Sequence, residues 1–190
     1  MERRDYMCKV SLFLADGFEE VEALAVVDLL RRADIDISMI SISGELEVTG
    51  AHKIKVIADK LFEEEDFSTI GMLVLPGGMP GTKHLAEHKK LVELLKDFNS
   101  KGKLLAAICA APMVLGDNGL LKGKSATCYP GFEESLLGAS FKDKDVVVDG
   151  NIITSKGMGT AIDFALAIIK QIKSQEEASK IAKSIQYKYF

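Results

Sequence analysis

The chain has 190 residues, of which 47% are hydrophobic and 27% charged, and its formal net charge is −4 at pH 7. This length predicts about one domain, spanning residues 1–190, with a core large enough to fold without disulfides or a metal. The negative balance and the dispersed lysines argue against a protein that binds nucleic acid by neutralising phosphates.

The cysteines and the hydrophobic pattern bear on the cellular compartment. Cys8, Cys109 and Cys128 are an odd number without a CxxC pair, which is typical of a reducing cytosol rather than of a disulfide framework. No window of the sequence approaches the roughly 18 apolar residues that span a bilayer. No apolar segment of the signal-peptide type follows the first charges. We therefore expect a cytoplasmic protein without a membrane partner.

The first half of the chain alternates strand and helix patterns. In order, it predicts a strand, a helix, a strand, a hairpin, a strand and a helix, over residues 9–14, 18–33, 37–42, 44–57, 71–75 and 82–100. The charge run 63–66 predicts a solvated turn or helix face. Glu22 is the unusual residue of the first helix, because the other residues on its stripe, Val26 and Leu29 among them, are apolar. Glu22 is therefore expected to point into a buried region.

The second half continues the alternation. It predicts strands over 103–108, 124–128, 146–148 and 152–154, and helices over 160–173 and 175–186. The last segment, 186–190, is compatible with packing on this domain or on a partner. The order of elements implies a doubly wound α/β domain with a mostly parallel sheet and helices on both faces. In such sheets, ligands bind at the carboxyl ends of the strands.

Three features fall at such strand ends: the turn before Glu22, the pair Gly77 and Gly78, and Cys109. The strand over 103–108 runs into Cys109 and then into small residues, which is typical of a tight strand-to-helix turn that exposes a nucleophile. Free N–H groups and the dipole of the following helix would lower the pKa of the thiol. The alternative is that Cys109 is a small core residue, as free cysteines usually are.

The partner of a reactive Cys109 is not a histidine. The three histidines are His52, His84 and His88, and Ala110 follows the cysteine directly. A Cys-His-Glu triad therefore has no candidate in its usual place, and His84 and His88 are expected to be solvated helix residues.

A Cys–Glu pair remains as the candidate site. An ionised Glu22 would repel a thiolate, so Glu22 helps only if burial keeps it protonated and it donates a hydrogen bond to sulfur. The thiolate could then attack a carbonyl while the amides of Gly78 and Ala110 stabilise the oxyanion. It is equally suited to oxidation to sulfenic and sulfinic acid.

Five segments, in this order and spacing, carry a family resemblance: ADGFEEVEAL, LVLPGG, AAICAAP, TCYPGFE and TSKGMGTAIDFALAI. They resemble the ThiJ/PfpI superfamily over nearly the whole chain, and within it the branch of the human Parkinsonism-associated deglycase (DJ-1 type). The resemblance implies a flavodoxin-like fold, a homodimer and no cofactor or metal. It matches Cys109 to the nucleophile, Glu22 to the protonated acid, and Gly78 and Ala110 to the oxyanion-hole amides.

The same resemblance implies the activity. Members of this branch are described as glyoxalases that turn methylglyoxal into lactate, or as deglycases of glycated proteins or nucleotides. The alternative is an oxidative-stress sensor or protective protein that works by oxidation of the same cysteine, without turnover. A thiamine-pathway enzyme has no support, since no thiazole-phosphate or metal signature is present, and Ala110 in place of a histidine weakens a protease assignment.

Several positions depart from the family pattern. Tyr129 stands where a histidine is found near the site, Met158 replaces a proline, and Lys156 replaces an arginine. Tyrosine can bind a substrate through hydrogen bonds but is a poor base at neutral pH, because its pKa is near 10. His52 falls about where the family has an interface arginine.

The remaining candidate positions belong to the pocket and to the dimer interface. Gly77, Tyr129 and Cys128 are candidates for the pocket, and Arg32 and His52 for the interface. Cys8 precedes a buried strand and is expected to be structural.

Overall fold

The computed structural model of the protein describes residues 8–188. Tyr189 and Phe190, which end the segment whose packing the sequence leaves open, lie outside these residues. The strands are β1 Lys9–Leu14, β2 Ile37–Ser41, β3 Glu47–Thr49, β4 Lys55–Ile57, β5 Lys60–Leu61, β6 Ile70–Leu75, β7 Leu104–Ile108, β8 Ser125–Ala126, β9 Ser140–Phe141, β10 Val146–Asp149 and β11 Ile152–Ser155.

Seven of these strands form one sheet in the order β10-β11-β7-β6-β1-β2-β5. Every neighbouring pair is parallel except β10 and β11, which form an antiparallel hairpin at one edge. β1, the first strand of the described residues, lies inside the sheet; the chain then moves outward to β2 and β5 and returns to the other side of β1 at β6. This reversal of direction leaves the ends of β1 and β6 side by side, where doubly wound folds bind their ligands.

Helices cover both faces of the sheet, which confirms the α/β fold class. The helices are α1 Glu20–Arg32, α2 Gly81–Glu87, α3 Lys89–Ser100, α4 Pro112–Asp117, α5 Ala161–Ile172 and α6 Gln175–Ser184. Side chains of β1 alternate between two cores: Leu12 and Leu14 pack with α1, α5 and α6, whereas Phe13 packs with α3 and α4. This alternation is the period of two that a strand covered on both faces requires.

The predicted helix over 82–100 is two helices, because the chain breaks at His88. The Nδ1 atom of His88 accepts a hydrogen bond from the N–H of Leu91 at 3.1 Å and so caps α3. The His88 ring also lies 4.7 Å, centroid to centroid, from the ring of Phe62. The prediction that His88 is a solvated helix residue is therefore wrong, since capping and ring packing hold it half-buried, whereas His84 is exposed.

Smaller differences concern the boundaries and the charge run. Glu65, expected to be solvated, has a side chain only 5% exposed and pairs with Lys60 at 3.1 Å. The strand predicted over 124–128 is shorter, and it pairs with β9, which the sequence pattern does not reveal. The first helix begins at Glu20 because the Glu19 side chain caps it. The hairpin within 44–57 is confirmed as β3 and β4.

Candidate functional site

The turn after β7 carries Cys109 at the carboxyl edge of the sheet. Its backbone is left-handed, with φ of +64°, a conformation that residues other than glycine rarely adopt. The N–H of Cys109 donates to the carbonyl of Ser155 at 3.0 Å, and the N–H of Tyr129 donates to the carbonyl of Cys109 at 2.8 Å. The two neighbouring segments therefore hold the turn in place and leave the thiol half-buried.

Glu22 lies in the first turn of α1 and is only 1% exposed, so the predicted buried stripe is confirmed. Its Oε2 atom accepts a hydrogen bond from the N–H of Gly77 at 2.9 Å. Its Oε1 atom is buried without a hydrogen-bond partner within residues 8–188. An unpartnered buried carboxyl oxygen is costly when it is charged and much less so when it carries a proton.

Two glycines after β6 let the backbone approach these groups. A Cβ on Gly77 would lie 2.6 Å from the Cβ of Cys109 and 2.7 Å from Oε2 of Glu22, so only glycine fits between them. Gly78 has φ of +90°, where a side chain would be strained. The N–H groups of Gly78 and Ala110 both form hydrogen bonds that favour the Cys109 thiolate. The turn after β6 and the turn after β7 therefore each supply one backbone donor to the sulfur of Cys109.

Glu22 and Cys109 each affect the pKa of the other. Burial raises the pKa of Glu22 to about 7, against the hydrogen bonds from Gly77 and Cys109, which lower it. Burial, followed by the charge of Glu22, raises the pKa of Cys109 to about 12, although the N–H groups of Ala110 and Gly78 lower it. The lowered thiol pKa that the sequence predicted is therefore wrong. The helix α4 has only 6 residues, and its N-terminus does not offset burial and the facing carboxylate.

Tyr129 forms one wall beside this pair. A Cβ on Gly157 would lie 3.1 Å from the Tyr129 ring and 3.8 Å from Oε1 of Glu22, so the ring, the glycine and the carboxyl group are neighbours. Tyr129 is 49% exposed. Lys156, next to Gly157, pairs with Asp143 and Asp145.

The other two cysteines lie elsewhere. Cys128 is 1% exposed and belongs to the core on the α3 and α4 face, whereas Cys109 borders the core on the opposite face. Burial, followed by the charge of Glu133, raises the pKa of Cys128 to about 11. Cys8 lies at the start of β1, the opposite edge of the sheet from Cys109, and burial also raises its pKa.

The two candidate interface residues do not join the Cys109 site. Arg32 is in the last turn of α1 and pairs with Asp28 at 2.7 Å. It lines a groove of about 640 Å³ that also contains Val21 and Met158. Val21, Leu24 and Met158 are 51%, 37% and 57% exposed, so this side of the molecule carries an apolar surface.

His52 lies at the tip of the β3–β4 hairpin and contacts a buried acid that the sequence analysis missed. Glu20 is only 2% exposed, and its Oε2 atom lies 2.9 Å from Nδ1 of His52. Burial would raise the pKa of Glu20, but the His52 side chain and the N–H groups of His52 and Ile54 hold it below its usual range. The only sequence signal for this contact is an acid beside the cap residue of α1. Such acids are normally exposed.

A half-buried cysteine on a strained strand-to-helix turn, facing a buried acid across a glycine, defines an α/β protein of the nucleophile-elbow type. Residues 8–171 match the DJ-1/PfpI family. The chain belongs to this family.

Named relatives agree with this assignment. Protein DJ-1 homolog B of Arabidopsis thaliana is 40% identical over 172 residues, which are 90% of this chain and 39% of that protein. Protein dj-1beta of Drosophila melanogaster is 37% identical over 180 residues, 94% of this chain and 96% of that protein. The chain spans about two fifths of the length of the two Arabidopsis relatives that it matches.

A solved structure supports the same family assignment. The structure titled "Toxoplasma gondii DJ-1, oxidized" has a TM-score of 0.92 and 37% identity, and the match covers 96% of this chain and all of that chain. No helix among residues 8–188 is long and apolar enough to cross a membrane.

Proposed function

We propose that this protein is a cysteine-dependent, cofactor-independent glyoxalase or deglycase that acts on methylglyoxal-type dicarbonyls or their adducts. The observation that carries the proposal is the pairing of the Cys109 thiol with the buried carboxyl group of Glu22, next to the N–H groups of Gly78 and Ala110. Addition to an aldehyde requires a nucleophile, a proton carrier and an oxyanion hole. In this proposal, Cys109, Glu22 and the two backbone N–H groups supply them in that order.

In the first step, the sulfur of Cys109 attacks the aldehyde carbon and forms a hemithioacetal. The thiol proton passes to the Glu22 carboxylate, whose pKa of about 7 makes it an acceptor near neutral pH. The negative charge that develops on the aldehyde oxygen is stabilised by the N–H groups of Gly78 and Ala110. Proton transfer during attack means that a stable thiolate is not required, in agreement with the raised pKa of Cys109.

The second stage converts the hemithioacetal into lactate. Glu22 first passes the thiol proton to the oxyanion, which completes the hemithioacetal and restores the carboxylate. This carboxylate removes the proton from the former aldehyde carbon, giving an enediol, and returns it to the adjacent carbon. The hydroxyl proton of the former aldehyde moves to the neighbouring oxygen, which leaves a lactate thioester on Cys109. Water then cleaves the thioester, releasing lactate and restoring the thiol. The sum of these steps is methylglyoxal plus water giving lactate, so no external oxidant or reductant is consumed.

Deglycase activity shares the first intermediate, because the sulfur displaces the amine from the same carbon of a hemiaminal adduct and the amine leaves with the proton that Glu22 has taken from the thiol. The half-exposed wall at Tyr129 leaves the site open on one side, which supports access by an adduct on a protein or a nucleotide. Tyr129 contributes a hydrogen bond to such a substrate rather than proton transfer.

The test is a lactate assay with methylglyoxal and no added cofactor on wild type, Cys109→Ser and Glu22→Gln. We expect steady production by wild type, none by Cys109→Ser, and a loss of about 100-fold or more in Glu22→Gln, as is usual for removal of a general acid–base. Cys8→Ser is the matched control, since Cys8 lies at the opposite sheet edge, and it should retain activity.

A second candidate, a redox sensor, is favoured by a specific observation. A relative of the same fold was solved in a state that its title calls oxidized. In this alternative, Cys109 is oxidised by peroxide to sulfenic and then sulfinic acid, and its N–H donors stabilise the product anion. Wild type that gains oxygen mass at Cys109 under peroxide but makes no lactate would favour the sensor and contradict the enzyme.

The resemblance also supports two proposals about the molecule's setting. We propose a homodimer through the face of α1 that carries Arg32, the exposed Leu24 and the neighbouring groove. His52 is the second interface candidate because its side chain is 71% exposed. The free state of all three cysteines agrees with a cytoplasmic location.

A further inference from the structure

Three hydrogen bonds close a ring around the acid of the Cys109 site, and Glu19 takes part in two of them. The N–H of Glu19 donates to the carbonyl of Gly77 at 2.9 Å. The N–H of Gly77 donates to Oε2 of Glu22 at 2.9 Å, and the N–H of Glu22 donates to Oε2 of Glu19 at 2.6 Å. The ring therefore ties the first turn of α1 to the turn after β6.

Glu19 enters this ring through both its backbone and its side chain. It is the residue before α1, and its backbone is extended, with φ of −84° and ψ of 119°. A residue at this position ordinarily satisfies N–H groups of its own helix through its side chain. Here the same residue also binds the segment that supplies Gly77 and Gly78, which a helix cap alone would not require.

The backbone of Glu19 also limits where Gly78 can lie. A Cβ on Gly78 would lie 2.3 Å from the nitrogen of Glu19, so the two backbones are in close contact. The N–H of Gly78 forms a hydrogen bond that favours the Cys109 thiolate. A shift of Glu19 would therefore move both the Glu22 carboxyl group and a backbone donor to the sulfur.

Glu19 acts on Glu22 through its charge as well. Burial raises the pKa of Glu22 to about 7, and the negative charge of Glu19 adds to this rise. Among the described residues, the other groups that act on this carboxyl group are the N–H of Gly77 and the side chain of Cys109, and both lower its pKa. Glu19→Gln would remove the charge and keep an oxygen that can accept the N–H of Glu22.

We propose that Glu19 is a positioning residue of the Cys109 site, which fixes the Glu22 carboxyl group and the Gly78 N–H group relative to the sulfur. It acts through these two groups rather than on the substrate. A misplacement of about 1 Å in a catalytic group can cost about 100-fold in rate, so the effect on turnover is measurable. This inference rests on the proposed function, because it names the residue that prepares the same site for addition to an aldehyde.

The test compares Glu19→Ala with Glu19→Gln in the methylglyoxal assay between pH 5 and pH 8. In Glu19→Ala the ring loses an acceptor, so kcat at pH 8 should fall at least about tenfold while KM changes much less. In Glu19→Gln the ring stays closed, and kcat at pH 8 should stay close to that of wild type. The acidic limb of its pH profile should lie at lower pH, because the Glu22 carboxylate forms more readily without the neighbouring charge. Glu93→Gln, which removes an exposed acid of α3, is the matched control and should keep the wild-type profile.

A measurement without substrate separates this proposal from the enzymatic one. Amide hydrogen exchange followed by NMR reports on the ring through the N–H of Gly77, and the N–H of Leu105 in β7 is the reference for a general loss of stability. Relative to Leu105, Gly77 should exchange at least about tenfold faster in Glu19→Ala than in Glu19→Gln.

Two results would overturn the role of Glu19. One is a kcat at pH 8 that is the same in Glu19→Ala and Glu19→Gln, and the other is equal exchange of Gly77 in the two variants. A wild type that makes no lactate would contradict the proposed function instead, and the exchange rates would still decide whether Glu19 holds the ring.

Discussion

At the scale of single residues, the site depends on a strained backbone at Cys109 and on a buried carboxyl group at Glu22. Cys109 has a left-handed backbone, and such a residue costs about 1–3 kcal/mol unless its surroundings impose it. Here the carbonyl of Ser155 and the N–H of Tyr129 impose it through hydrogen bonds. Glu22 is buried with one oxygen unpartnered. The protein therefore gives up stability at this place to hold a nucleophile and an acid face to face.

Glu22 makes the stability of the protein depend on pH. Its folded-state pKa of about 7 lies above the ordinary value for a glutamate, so the folded state binds the proton more tightly than the unfolded chain does. Stability is then lost as pH rises from about 4.5 to 7, by roughly 3 kcal/mol for this residue alone. Glu22→Gln should be the more stable protein at pH 8, and its stability should change less between pH 5 and pH 8. Urea unfolding at both values measures this, and identical pH dependence in the two proteins would contradict it.

At the scale of elements, the N-terminus of α1 joins the two sides of the site. Glu19 caps the helix through the N–H of Glu22, and its own N–H donates to the carbonyl of Gly77 at 2.9 Å. One residue thus connects the helix that carries the acid to the turn that carries the glycines. The position of the Glu22 carboxyl group relative to Cys109 depends on this connection.

Removal of the cap should therefore cost stability. Glu19→Ala deletes the side-chain acceptor, for which about 1 kcal/mol is typical, or a fall in melting temperature of roughly 2–4 °C for a chain of this size. Glu19→Gln keeps an oxygen acceptor and is the matched control, with a smaller expected fall. Thermal unfolding followed by circular dichroism measures both. A fall in Glu19→Gln as large as that in Glu19→Ala would show that the charge, and not the acceptor, is what matters.

At the scale of the whole molecule, the exposed apolar side chains on α1 and around Met158 lie on one side. Large apolar side chains that are exposed near one another can mark an interaction site. A second copy of the chain is the occupant that we propose for it.

The dimer proposal predicts the effect of a buried charge. Leu24→Glu should convert a dimer into a monomer, because a carboxylate placed in an apolar interface loses its hydration without gaining a partner. Val148→Glu is the matched control, since Val148 is 49% exposed on the edge strand β10, away from α1. Light scattering coupled to gel filtration measures the mass of each protein. A monomeric wild type, or an unchanged dimer in Leu24→Glu, would contradict the proposal.

The amino-acid sequence alone was enough for the α/β class, the order of the main strands and helices, and the burial of Glu22. These follow from local information, because the alternation along a strand and the spacing along a helix are visible in consecutive residues. The glycines after β6 and the small residues after Cys109 likewise indicated a close approach at one sheet edge.

Only the tertiary structure decided what depends on distant neighbours. At the break between α2 and α3, His88 caps α3 with its ring and lies against Phe62, and the burial of Glu20 follows from a hairpin 32 residues away. The direction of the Cys109 pKa shift depends on how closely the Glu22 carboxyl group and the burying side chains surround the sulfur. Desolvation and charge interaction act through space, so no spacing along the chain could have predicted their balance.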